Sequence, residues 1–392
     1  MSKFHSYISS AEKLISTCVS GKPLSLHVKS FFAADKKYGS RDRRMISSLC
    51  YNYFRTGRAF EKLGTVEKIL LGLFLCENKS NELLQFFRPD LNEKITLPVV
   101  EKITITGIKE LDIFPFENEL GAAIEMMPFS GSFLEQPQLY LRIRPGRKKT
   151  VFDKLNEAAV EFQLPDDDCI KLANNVAADK ILKLNKEVVV QDMNSQKVLD
   201  WLINNPGQFS ATDKIAAWDC CAASGGKSIL LIDKLKSNSI QLTVSDIREN
   251  ILKNLIVRLQ QAGVNINRKF VSDISIASGL PAEEKFSVIV CDAPCTGSGT
   301  WSRSPEQLYF FNEKMISEYA ERQQKIVSNV LPHLKPGGLF FYITCSVFKK
   351  ENEEMVRFIK TKNASLQLQQ AEYLKGYEMQ ADTMFVAVFK LS

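Results

Sequence analysis

Residues 214–227 read KIAAWDCCAASGGK: a short apolar run, an acid, two cysteines, then small residues and paired glycines. Small residues and glycines between a strand and a helix let the backbone approach a ligand closely at the helix N-terminus. A phosphate loop of the Walker type needs a different glycine and lysine spacing. Working outward, the same grammar repeats. QLTVSD, RKFVSD, FSVIVCD and GLFFYITC are short apolar runs rich in β-branched and aromatic residues. Helical patterns such as ENILKNLIVRLQQAG and EKMISEYAERQQKIVSNVLPHL separate most of them. From about Ser195 onward this alternation implies α/β architecture, a doubly wound and mostly parallel sheet.

Upstream the grammar differs. In SRDRRMISSLCYNYFRTG the apolar residues Met45, Ile46, Leu49, Cys50, Tyr53 and Phe54 recur at helical spacing. Ser40 is the expected cap, and Gly57 the expected left-handed stop. VEKILLGLFLC and NELLQFF continue the helical pattern, until a Pro- and Gly-bearing stretch from Phe114 to Pro137 breaks it. LYLRIRP and ILKLNKEVVVQD then read as strands flanking an amphipathic helix, VFDKLNEAAVEF. The expected domains are an all-α part (1–130), a small α+β subdomain (138–192) and a catalytic domain (193–392).

The 392 residues are 45% hydrophobic and 24% charged, a globular composition. The longest apolar run, Ile69 to Cys76, is far below the roughly 18 residues of a membrane span. MSKFHSYISSAEKL lacks the apolar core of a signal peptide, so a cytoplasmic protein with no membrane partner is expected. Nine cysteines then imply a reducing compartment. Three scattered histidines argue against histidine triads and zinc chemistry, and no metal is expected. The net charge is +6, and two stretches concentrate the cations. Residues 28–58 hold Lys29, Lys36, Lys37, Arg41, Arg43, Arg44, Arg55 and Arg58 against two acids; residues 142–149 hold Arg142, Arg144, Arg147, Lys148 and Lys149 against none. Such clusters attract a phosphate backbone, although a solvated helix face has the same composition. Arg43, Arg44, Arg147 and Lys148 are the RNA-binding candidates.

In open parallel sheets ligands sit beyond the carboxyl ends of the strands. There the loop of Cys221, Ala222, Ala223, Ser224, Gly225, Gly226 and Lys227 follows the first strand, and Asp246 ends the second. An acid at that position suits ribose hydroxyls, and Asp273 after the third strand suits an adenine amino group. Together they indicate an adenosine-bearing cofactor, while spacing alone leaves nicotinamide and methyl donors both open. Cys291 lies inside a strand and reads as a small core residue. Cys295 and Cys345 each follow a strand among small polar residues. If those strands are neighbours, about 4.8 Å apart, both thiols emerge at one edge of the sheet.

DCCAASGGK, DAPCTGSGTWSRSPE and YITCSVFKKENE resemble the three signature motifs of the RsmB/Nop2/Sun family of RNA cytosine-5 methyltransferases. QDMNSQ (Gln191 to Gln196) and the closing FVAVFKL extend the likeness over the C-terminal two-thirds. RDRRMISSLCYNYFR more weakly resembles the NusB-like RNA-binding domain of the family's bacterial ribosomal-RNA branch. Two positions depart: the family's proline is Ser224 here, and the first arginine of its Arg-Arg pair is Ser302, leaving Arg303. The resemblance implies a class I, Rossmann-like methyltransferase using S-adenosyl-L-methionine held by the loop with Asp246, Asp273 and Asp292. It further implies Cys345 as nucleophile, Cys295 in product release, Asp292 on the cytosine edge and Arg303 as a cation toward RNA. The implied substrate is small-subunit ribosomal RNA and the implied state a monomer. Transfer RNA, or a non-catalytic RNA-binding assembly factor, stand as alternatives.

Two thiols suit this chemistry because carbon 5 of cytosine is a poor nucleophile until a thiolate adds to carbon 6. A thiol of ordinary pKa is only about 3% ionised at pH 7, a deficit of roughly 2 kcal/mol that nearby cations offset.

Overall fold

The computed structural model describes residues 2–35, 37–210, 212–235 and 239–392, and only the backbone of Glu110. Lys36, one of the cations counted above, lies outside the described residues. Packing divides the chain into two compact units. The first comprises Met1–Leu120, Ile124–Pro137 and Thr300–Glu313; the second comprises Gly121–Ala123, Gln138–Gly299 and Lys314–Ser392.

The first unit is helical. Its helix Ser40–Arg55 buries Ile46, Leu49, Cys50, Tyr53 and Phe54, the stripe that the spacing predicts. The cap differs from expectation: Gly39 is the N-cap, and its N–H donates to the Asp42 carboxylate at 2.9 Å. Gly57 does take the left-handed turn, with φ 54°, and a Cβ there would lie 2.2 Å from the Ile113 carbonyl. Arg55 is not a surface cation. It is buried, and its Nη1 donates to the carbonyls of Phe133 (3.1 Å), Glu135 (2.7 Å) and Ser302 (3.0 Å). Arg58 likewise donates to the Phe311 carbonyl. The segment Thr300–Glu313, expected within a continuous 193–392 domain, therefore packs as part of the helical unit. Its rings explain why: Trp301 meets Phe114, Tyr309 meets Tyr53, and Phe311 meets Phe116. Backbone grammar carries no sign of such long-range packing.

The second unit holds two sheets. The smaller is antiparallel, in the order β2-β3-β1-β4: β1 is Leu139–Ile143, β2 Gln163–Asp166, β3 Cys169–Leu172 and β4 Val188–Val190. ILKLNKEVVVQD is strand only over Val188–Val190, and a helical turn, Ala178–Ile181, occupies the residues before it. β2 went unread because it is mostly exposed and carries a proline. Arg142 and Arg144 both grip Asp233, at 2.5 and 2.8 Å; Arg142 and the Asp233 carboxylate are buried, and Arg144 is largely so. Two of the five cations of that stretch are thus internal struts.

The larger sheet contains β5 (Lys214–Asp219), β6 (Ser239–Asp246), β7 (Arg268–Val271), β8 (Phe286–Asp292), β9 (Leu334–Thr344), β10 (Leu366–Leu374) and β11 (Met384–Leu391). Their order is β10-β11-β9-β8-β5-β6-β7. β7, β6, β5, β8 and β9 run parallel, and β11 pairs antiparallel with both β9 and β10. Both faces are covered, which is why these strands read as nearly continuous apolar runs. Leu339, Phe341 and Ile343 pack in one core with Leu230 and Leu255, whereas Phe340 and Tyr342 pack in the other with Ile326 and Ile359. This is the mostly parallel, doubly wound α/β fold expected of a class I methyltransferase. Among the described residues no helix is long and apolar enough to cross a membrane.

Candidate active site

Strand order reverses between β5 and β8, which are neighbours although β6 and β7 separate them in sequence. Such a switch point opens a crevice at the carboxyl ends of the strands. A cavity of about 380 Å3 lies there, lined among others by Cys221, Ala223, Asp246, Asp273, Asp292, Cys295 and Cys345.

The loop after β5 is shaped by backbone contacts. Ala222 N donates to the Ser245 carbonyl at 2.9 Å, and Ala223 N to the Asp246 carboxylate at 3.0 Å. Ala223 and Gly225 have φ of 45° and 82°, and a Cβ at Gly225 would sit 3.1 Å from Leu255 Cγ. The turn thus packs against a helix while two of its residues, Cys221 and Ala223, line the cavity. Ala222, Ser224, Gly225, Gly226 and Lys227, expected around the cofactor, are not among the lining residues; they build the turn behind it. Ser224, where the family has proline, is held instead by Arg258, whose Nη1 reaches its carbonyl at 3.2 Å and its hydroxyl at 3.0 Å. At the base of the loop Ser228 Oγ donates to Asp219 at 2.6 Å. Burial pushes the Asp219 carboxyl up to about 7, and its other oxygen has no hydrogen-bond partner.

Asp246 already accepts from Ala223 N and from Arg248 N (2.9 Å) and Nε (3.0 Å). Burial alone would raise its carboxyl, but the Arg248 contacts and the backbone N–H bonds outweigh it and hold the group below the usual range. Arg248 Nη2 adds a fourth contact at 3.2 Å, so each oxygen already accepts two bonds and a ligand hydroxyl would have to share or displace one of the Arg248 contacts. Asp273 caps its own turn through Ser275 N (3.0 Å) and Ser275 Oγ (2.6 Å). Tyr319, Arg322 and Ile326 complete one wall, and sequence reading missed them. Their spacing of three and four residues on the helix Lys314–Val330 is the signal that places them on one face.

β8 and β9 are parallel neighbours with Asp292 opposite Ile343, so the residues that follow emerge side by side. Cys295 Sγ and Cys345 Sγ lie 3.3 Å apart, both partly accessible. The contact with the Cys345 sulfur, together with burial, holds the Cys295 thiol well above its ordinary pKa, so Cys295 is protonated at neutral pH. Lys227 Nζ pairs with Asp292 at 2.6 Å. Burial depresses the lysine, yet attraction from Asp292, with smaller shares from Cys345 and Asp219, leaves its pKa raised. Lys227 is therefore a cation that this unit itself places near Cys345. Arg303 belongs to the helical unit. Cys291 is fully buried, as expected, and its sulfur lies within 4.8 Å of those of Cys220 and Cys221 in the core around Trp218 and Tyr342.

The RNA-binding candidates fall in separate units. Arg43 and Arg44 are exposed on the helix Ser40–Arg55, with Arg43 Nε bonded to the Tyr38 carbonyl. Arg147 and Lys148 are exposed beside the small sheet, Lys148 lying 3.5 Å from Asp167.

Residues 209–389 match the family model described as 16S rRNA methyltransferase RsmB/F. Two curated relatives, the ribosomal RNA small subunit methyltransferases B of Escherichia fergusonii and Cronobacter sakazakii, are each 30% identical, over 181 and 187 residues. Each alignment takes in 46% of this chain but only 40% of the relative's length. Among solved structures, PH0851 aligns over 98% of both chains with a TM-score of 0.71 at 18% identity. A methyltransferase homologue from Pyrococcus horikoshii aligns over 74% of this chain and 98% of its own, with a TM-score of 0.58 at 20% identity. At these identities the structures speak for the fold alone. Residues 209–389 are similar to the RsmB/F methyltransferase family.

Proposed function

We propose that this protein methylates carbon 5 of a cytosine in RNA, with S-adenosyl-L-methionine as donor and small-subunit ribosomal RNA as substrate. The observation that carries the reading is the pair of sulfurs, 3.3 Å apart, on the rim of a strand-end cavity that also presents Asp246 and Asp273. The donor set fits an adenosine: two carboxylates at successive strand ends and a close-approaching loop. When bound there, the donor supplies an electrophilic methyl group.

Cys345, as thiolate, forms a bond to carbon 6 of the ring while the ring nitrogen takes a proton from solvent, and the ring electrons rearrange to an enamine with its density on carbon 5. Asp292 holds the cytosine edge, and its salt bridge to Lys227 keeps it in place and adds positive charge beside the sulfur. Once carbon 5 carries the methyl group, its hydrogen leaves as a proton. The electrons of that bond restore the ring double bond, the ring nitrogen returns its proton to solvent, and the bond from carbon 6 to the Cys345 sulfur breaks. Cys295, adjacent, assists this release: its proton passes to the departing sulfur and it takes up the proton from carbon 5. The work is done by thiols and a carboxylate, so the proposal includes no metal ion. It places the protein in the cytoplasm as a monomer, with residues 1–130 as a NusB-like RNA-binding part and 138–192 as a second RNA-binding element.

Transfer of labelled methyl to separated ribosomal and transfer RNA, followed by bisulfite mapping, tests the reading. Label on 5-methylcytosine in small-subunit RNA is expected. Label confined to transfer RNA would move the substrate, and RNA binding without label would indicate an assembly factor.

A further inference from the structure

We infer that Glu351 is a positioning residue: its buried carboxylate clasps the two cysteine-bearing loops and so sets the spacing of the thiols. The inference rests on the proposed chemistry for its meaning, but on geometry for its content. Glu351 is fully buried, within the stretch YITCSVFKKENE. One carboxylate oxygen accepts from Thr296 N and from Gln323 Nε2, each at 3.0 Å. The other accepts from Thr296 Oγ1 at 2.6 Å and from Ser346 Oγ. Thr296 directly follows Cys295, and Ser346 directly follows Cys345. A single side chain therefore holds the residue after each thiol.

The surroundings reinforce the clasp. Ser298 Oγ lies 3.2 Å from Ser346 Oγ and accepts from Val347 N at 2.9 Å, a second strap between the same loops. Gln323 also donates to the Pro294 carbonyl at 3.0 Å, and Tyr342 OH donates to Gln323 Oε1 at 2.9 Å and to the Glu351 carbonyl at 2.7 Å. Burial raises the Glu351 carboxyl above its usual range, and the bonds from Ser346, Thr296 and Gln323 oppose that rise. Mere adhesion between two loops would be served as well by apolar packing, without the desolvation cost of a buried charge. What a carboxylate adds is direction: two oxygens with fixed lone pairs set the register of two backbones. It also adds charge. The contact with Cys345 and burial are the main causes that raise the Cys295 thiol, and the charge of Glu351 adds a smaller share in the same direction.

The test uses the full chain with three readouts. Diamide takes one hydrogen from each thiol and is itself reduced to the hydrazine, leaving a Cys295–Cys345 disulfide whose rate of formation peptide mapping follows. Methyl transfer gives kcat and KM, and calorimetry gives affinity for S-adenosylmethionine. In Glu351→Gln the charge is lost and an amide NH2 replaces one acceptor: against Thr296 N and Gln323 Nε2 it has no bond to make, and against the Thr296 and Ser346 hydroxyls it forces both to turn and accept. Disulfide formation and kcat should each fall by about tenfold or more, as expected for a displacement near 1 Å, with KM and cofactor affinity little changed. Thr296→Val removes one hydroxyl strap with little change of volume and should slow disulfide formation to a smaller extent. Rates equal to wild type in either variant would overturn the inference. So would a parallel loss of cofactor affinity and folding in both, the mark of a purely structural residue. Failure of the wild-type protein to methylate RNA would sink the functional reading alone, since the disulfide rate is measured without turnover.

Discussion

The sulfurs of Cys295 and Cys345 stand 3.3 Å apart although fifty residues separate them in the chain. Adjacency of β8 and β9 brings them together, and the contact with Cys345, together with burial, raises the Cys295 thiol. Cys345→Ala should therefore reduce methyl transfer by at least about 10³-fold, the scale of losing a covalent nucleophile. Binding of S-adenosylmethionine, measured by calorimetry, should stay within a few fold. Wild-type turnover in this variant would remove Cys345 from the mechanism.

Cys295→Ala should fail at a different stage. Addition to carbon 6 and methylation proceed through Cys345, but release is impaired, so the methylated RNA stays attached. A protein–RNA species stable to denaturing electrophoresis should accumulate, and it should vanish in the double variant that also lacks Cys345. Free protein alone would contradict the release role.

Asp219 predicts a pH effect on stability. Its carboxyl is raised by burial to about 7, against 3.8 for the free side chain. Between these values the unfolded chain has lost its proton and the folded chain has kept it. Stability therefore falls as pH rises through that window and levels off above 7, for a total cost of up to about 4 kcal/mol. Asp219→Asn should flatten this limb: its denaturant midpoint, measured from pH 4 to 8, should overtake that of wild type toward the alkaline end. A wild-type profile that rises across the window would refute the assignment.

How much of this was legible follows from what the residues touch. β5, β6, β8 and β9 announced themselves because strands buried on both faces are continuous apolar runs, and the chemically unusual residues sit where those runs stop. β10 did not, being an edge strand whose LQLQQAEYL is mostly exposed and polar. Glu351 hid inside KKENE, which reads as a solvated charge run, because its donors come from Thr296 and Gln323, far off in sequence. The segment Thr300–Glu313 hid for the same reason, its fate being set by rings at Tyr53, Phe114 and Phe116. Spacing along the chain finds strand ends; partners across the fold need coordinates.

The basic stretches show the same division and separate two experiments. Arg142 and Arg144 read as surface cations, but both pair with Asp233, some ninety residues on, inside the unit. Asp233→Ala would strand the buried Arg142 guanidinium and free its Arg144 neighbour, and should cost about 3–5 kcal/mol in chemical denaturation. Arg43, Arg44, Arg147 and Lys148 are exposed, so reversing their charges should leave stability almost untouched. It should instead weaken RNA binding and lower the slope of log affinity against log salt by up to about 3, at roughly 0.7 per lost phosphate contact on single strands. An unchanged slope would return these four residues to plain solvated surface. A stability loss equal to that of Asp233→Ala would mean that they, too, hold the fold.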